Sequence, residues 1–164
     1  MSYFAAALAR TEAGWTGQEL DLDGVHDLEA LADDLRDLTG HGVGPALLLL
    51  EQDDEYVAVV RVDGGADGLN EPRVFLSDRR AVHSGGVAAM FWDDADASEP
   101  DEQDEGTRPI AEPVGDPSVL ADLGTPAEQL LDLCAEEGLL PADVLSEVCE
   151  RAGCAAVLDG LREA

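Results

Sequence analysis

The sequence predicts an α+β fold: a small, mostly antiparallel sheet in the order β-β-α-β-β-β with a helix on one face. An acidic linker and a short C-terminal helical segment follow it. Three observations carry this reading. Short β-rich apolar runs dominate the first 92 residues, one helical period interrupts them, and explicit helix start and stop residues recur after residue 116. The corresponding divisions are 1–92 for the α+β domain, 93–117 for a linker expected to be disordered, and 118–164 for the helices.

Taken in order, "YFAAALA" (Tyr3 to Ala9) reads as a buried strand, and Thr11–Gly14 as its turn. "WTGQELDLD" then alternates Leu20 and Leu22 with Glu19, Asp21 and Asp23, the period of a half-buried strand. From Val25 the period changes. Leu28, Leu31, Leu35 and Leu38 recur at steps of three and four and so share one helix face, and Gly40 stops the helix. "ALLLLEQ" and "YVAVVRV", joined by Asp53-Asp54-Glu55, form the clearest hairpin in the chain. "RVFL" (Arg73 to Leu76) is a shorter strand, and Ser77-Asp78 can cap a short helix through Val82.

The C-terminal helices are marked by their ends. Asp116-Pro117 opens the first and Gly124 closes it. Thr125 with Glu128 reads as a capping box around Pro126, with Gly138 as the stop. Pro141 opens the third helix, whose Val144, Leu145, Val148, Cys149 and Ala152 make one apolar face before Gly153; a last half-helix runs from Cys154 to Leu161. These faces need a cover, either one another as a helical hairpin or the sheet.

Charge is the extreme feature. The 164 residues hold 37 acids against nine bases, a formal −28, and every base is arginine. Residues 93–117 are the densest part, with ten acids and one Arg. Low hydrophobicity and like charge there cannot offset the entropy of ordering, whereas the apolar Phe91 and Trp92 should stay anchored to the folded part. A field of this sign repels phosphate and anionic lipid, so direct nucleic-acid or membrane binding is disfavoured and a basic protein partner is favoured. An acid-rich composition can also serve solubility alone. "MSYFAAALARTEAG" has neither the basic start of a signal peptide nor the length of a membrane span, so a cytoplasmic protein is expected.

Motifs for chemistry are weak. "ELDLDG" places Glu19, Asp21 and Asp23 at the first, third and fifth positions of a calcium loop and Gly24 at the sixth. Position twelve, which must give a bidentate carboxylate, is Ala30, with Glu29 one residue early. Cys149 and Cys154 are too far apart for a zinc knuckle, and Cys134 and Cys149 lie among Leu and Val, where cysteine packs as a small hydrophobe. His26, His41 and His83 belong to no metal motif. The glycine-rich Gly40–Pro45 and Asp63–Gly68 lack the Lys-Ser/Thr of a phosphate loop. No catalytic, cofactor-binding or metal-ligating residue is therefore assigned, and no cofactor is expected.

"YFAAALARTEAGW", "LLLLEQDDEYVAVVRVDG" with "RVFLSD", and above all "PVGDPSVLADLGTPAEQLLDL" resemble an actinobacterial family of tRNA adenosine deaminase-associated proteins, nearly end to end. The resemblance implies association with the zinc enzyme that makes inosine at the anticodon wobble position, and it brings no catalytic residues with it. The deaminase's own H-x-E and P-C-x-x-C are absent here. The expected function is a non-catalytic partner of that enzyme, docking through an acidic surface. The alternatives are a nucleic-acid mimic that occupies basic clefts, for which carboxylates on a rigid frame at Asp93–Glu105 would speak, and an enzyme or small-ligand binder, for which a deep polar pocket would speak. Oligomeric state is not readable from the sequence.

Overall fold

Three runs rich in Ala, Leu and Val are apolar at successive positions, which a strand requires only when both of its faces are covered. In the computed structural model, which describes residues 3–11, 14–20, 28–38, 45–52, 56–63, 73–77, 114–135 and 139–163, these runs are the inner strands of the sheet. The sheet comprises β1 (Tyr3–Thr11), β2 (Gly14–Glu19), β3 (Pro45–Gln52), β4 (Tyr56–Asp63), β5 (Arg73–Leu76) and β6 (Val114–Gly115). Their order is β2-β1-β3-β4-β5-β6, and every neighbouring pair is antiparallel. The predicted α+β class and the β-β-α-β-β-β order hold. The predicted hairpin is β3–β4, with Leu49 opposite Val59 and Gln52 opposite Tyr56.

Alternation along the strands sorts side chains onto two faces. Ala5, Ala7, Ala9, Ala46, Leu48, Leu50, Ala58, Val60 and Val62 face α1 (Leu28–Leu38) and pack with its Leu31, Ala32 and Leu35. The opposite face presents Ala6, Leu8, Leu47, Leu49, Val57, Val59 and Phe75. It is covered by a 3-10 helix (Pro117–Leu123), α2 (Ala127–Ala135), α3 (Pro141–Ala152) and α4 (Ala155–Glu163). Val119, Leu120, Leu130, Val144, Leu145, Val148, Cys149, Cys154 and Leu158 close that core. Of the two covers left open by the sequence, the C-terminal helices take the sheet.

The helix ends are largely those expected. Asp116 accepts from Ser118 N at 3.0 Å, and Gly124 closes the 3-10 helix with a positive φ of 102°. Gly153 closes α3 with a φ of 91°, so that Cys154 N and Gly153 N both reach the Cys149 carbonyl at 2.8 Å. Gly17 is fixed by packing instead. A side-chain carbon there would lie 2.8 Å from Val157 Cγ1 and closer still to Leu8, so glycine lets α4 settle on β2.

Two expectations change. Val114–Gly115, placed in the linker, form the edge strand, with Asp116 N donating to the Val74 carbonyl at 2.9 Å. Thr125 makes no capping box: its side chain is buried in the core and its Oγ1 has no hydrogen-bond partner among the described residues. α2 opens with Leu130 N on the Pro126 carbonyl. Ser77 continues the strand pairing, exchanging hydrogen bonds with Val57 through its backbone N–H (3.0 Å) and its hydroxyl (2.9 Å). The proposed helix through Val82, the anchor residues Phe91 and Trp92, the linker up to Pro113, Leu22 and Gly138 lie outside the described residues.

Candidate partner-binding surface

An acidic chain has few cations, so what each arginine touches determines the sign of its surface. Six arginines are among the described residues, and five form ion pairs: Arg36 with Asp33, Arg61 with Asp122, Arg73 with Asp116, Arg151 with Glu147, and Arg162 with Glu51. Arg61 is the deepest. It continues the inward parity of Val57 and Val59 on β4, its side chain is 5% exposed, and its guanidinium grips both carboxylate oxygens of Asp122, one of them at 2.7 Å. The same guanidinium donates to the Val119 carbonyl at 2.9 Å. Arg73 lies opposite Arg61 on β5 and reaches Asp116 at 3.4 Å, so two adjacent arginines hold the 3-10 helix to the sheet. The hydrogen bonds from Arg61 keep the Asp122 carboxyl below its ordinary range, and those from Ser118 do the same at Asp116.

Two further polar contacts fasten the other end. Trp15 Nε1 donates to the Ala152 carbonyl at 3.2 Å, tying β2 to the end of α3. Arg162 of α4 stands 5.4 Å over the Phe4 ring and donates to the Ala142 carbonyl at 3.2 Å.

With most of the described arginines engaged inside the chain, the outward charge is carboxylate. Glu29, Asp33, Asp34 and Asp37 are exposed on α1. On the opposite side Glu128, Asp132, Asp143, Glu150 and Asp159 are exposed across α2 to α4, beside Asp122 with its Arg61 partner. From Pro109 to Glu150 the sequence holds ten acids and no Arg, Lys or His, and Arg151 directly after it is paired with Glu147. Exposed carboxylates without nearby cations attract a basic surface from a distance and repel phosphate.

The residues weighed for metal chemistry do not come together. Glu19 is exposed at the end of β2, and Glu29 and Ala30 are exposed in the first turn of α1, whereas Asp21, Asp23 and Gly24 lie outside the described residues. So do His26, His41, His83, most of Gly40–Pro45 and most of Asp63–Gly68. Among the described residues no group of three His, Cys, Asp or Glu side chains could hold a metal ion. Cys149 and Cys154 are buried in the core as free thiols; their mutual hydrogen bond and burial push the Cys149 thiol up. Cys134 is pushed up to about 11 by burial alone, which suits packing rather than nucleophilic attack. Among the described residues no helix is long and apolar enough to cross a membrane.

The Arg61–Asp122 clamp was missed from sequence because the partners are far apart in the chain. The signal was present, since an arginine at an inward position of a strand buried on both faces needs a carboxylate or carbonyl. The family model described as "Rv3753c-like tRNA adenosine deaminase-associated protein" matches residues 3–155, a span from β1 to the start of α4. No curated protein and no solved structure matches the chain.

Proposed function

The chain belongs to the Rv3753c-like tRNA adenosine deaminase-associated protein family, and on that premise we propose that it is a non-catalytic partner of a tRNA adenosine deaminase, docking on the enzyme's cationic surface through its own exposed carboxylates. An enzyme that handles tRNA needs cations for the phosphate backbone. A protein whose own arginines are mostly paired internally, and whose helices carry their acids outward, is complementary to such a surface. The single observation that carries the reading is this division of charge: five of the six described arginines are already paired within the chain, while many carboxylates of the helices stay exposed.

The test is titration calorimetry of the two purified proteins. Affinity should fall by at least about tenfold between about 50 and about 300 mM salt, because exposed charges are screened over roughly a Debye length. Binding with an affinity indifferent to salt would contradict the electrostatic reading, and absence of binding at low salt would contradict the partnership itself.

A further inference from the structure

β2 is an edge of the sheet: it pairs with β1 on one side, and among the described residues no strand pairs with the other. An open strand edge is a template for a further strand, and chains ordinarily blunt it with proline, lysine or a bulge. β2 has neither proline nor lysine, and its register with β1 runs unbroken from Thr11 opposite Gly14 to Ala6 opposite Glu19. Leu20 N donates to the Ala5 carbonyl at 2.9 Å, so the even-numbered residues of this segment turn their peptide groups toward β1. Alternation then points the N–H and C=O of Trp15, Gly17 and Glu19 outward. The side chains of the same row share the helical face, since they lie opposite Arg10, Leu8 and Ala6. There Trp15 is half-buried, and the half-buried Val157 of α4 lies against Gly17. Arg10 is exposed and is the arginine left without an ion pair among the described residues; Glu19 is exposed and unpaired as well.

We infer that this edge pairs with β2 of a second copy of the chain, antiparallel about a two-fold axis at Gly17. In a continuous sheet, opposed residues must face the same side, and those exchanging hydrogen bonds must both point outward. The register centred on Gly17 meets both conditions and uses the whole outward row. It sets Trp15 opposite the second copy's Glu19 and Thr16 opposite its Gln18. Charge selects this occupant. Arg10, Trp15 and the second copy's Glu19 form one cross-strand row on the helical face. Arg10 and that Glu19 are two strand spacings apart, roughly 10 Å between backbones, a gap that the two long side chains close over the Trp15 ring. Each copy's free cation thus meets the other's free carboxylate, twice by symmetry. The inference does not rest on the function proposed above.

The net charge of −28 on each copy opposes self-association, so the test is sedimentation equilibrium of the full chain at about 300 mM salt, where long-range repulsion is screened. A two-chain species is expected. Its dissociation constant should rise at least about tenfold in Arg10→Glu, which sets like charges against each other in both rows. It should return to within about threefold of native in Arg10→Glu/Glu19→Arg, which keeps the native net charge and exchanges the signs. Circular dichroism checks that both variants remain folded. A native chain still monomeric at about 100 µM overturns the inference. So does an Arg10→Glu variant that associates as tightly as the native chain, or an exchanged variant that stays as weak as Arg10→Glu. Each of these outcomes leaves the partnership with the deaminase standing.

Discussion

Leu145→Ala will lower the unfolding free energy by about 2–5 kcal/mol, and the loss will be felt in the sheet as well as in α3. Leu145 is fully buried and packs from α3 into the cluster that holds Leu47, Leu49, Val57, Val59 and Phe75 of the sheet. The truncation removes apolar transfer energy and leaves a cavity between the sheet and the helical layer. Small domains have about 5–15 kcal/mol of stability in total, so the effect is a large share of it. Amide hydrogen exchange shows where it acts. Protection should fall together in α3 and in β3 and β4, because their apolar faces form one core. Loss of protection in α3 alone, with the strands unchanged, would mean that the helices and the sheet are separate cooperative units.

The second large effect is expected at the clamp. Asp122→Ala leaves the Arg61 guanidinium buried with its carboxylate gone, which should cost about 2–3 kcal/mol in urea unfolding, the lower end for a broken buried pair because Asp122 itself reaches solvent. Replacing both partners, as Arg61→Leu/Asp122→Ala, should cost less than the two single changes added together, since no charge is then stranded. The pH dependence follows from the lowered Asp122 value. Between its folded value and the ordinary 3.8, the unfolded chain binds a proton that the folded chain does not. The stabilisation by Asp122 is therefore complete above about pH 5 and is lost as pH falls below about 4 toward the folded value. The difference between native and Asp122→Ala proteins should stay constant from neutrality to about pH 5 and narrow below it. A difference that widened in acid would refute the pairing.

Local signals were legible in the sequence, and long-range ones were not. The period of Leu28 to Leu38, the polar joint between Gln52 and Tyr56, and the ends at Asp116-Pro117, Gly124, Pro141 and Gly153 each involve only a few successive residues. A two-residue edge strand such as Val114–Gly115 has no period to detect, and its partner β5 precedes the whole acidic stretch. Thr125 misled because a capping hydroxyl and a buried threonine have the same letter; tertiary packing decided between them. The continuous apolar runs of β1, β3 and β4 did contain the answer to what the C-terminal helices cover, since a strand apolar at successive positions needs a layer on each side. At the candidate surface, the acidity was evident from composition, but only the folded chain shows where the arginines go.

The proposed docking puts the carboxylate-bearing helical side of this protein on the cationic surface that the deaminase needs for tRNA. The most direct measurement is competition: a preformed complex of the chain with the deaminase, at low salt, titrated with tRNA while the bound fraction is followed by fluorescence anisotropy of the labelled chain. Displacement to completion, with the chain in turn raising the apparent Kd of the enzyme for tRNA, is the predicted result. A ternary complex, in which tRNA binds at full affinity while the chain stays bound, would contradict it.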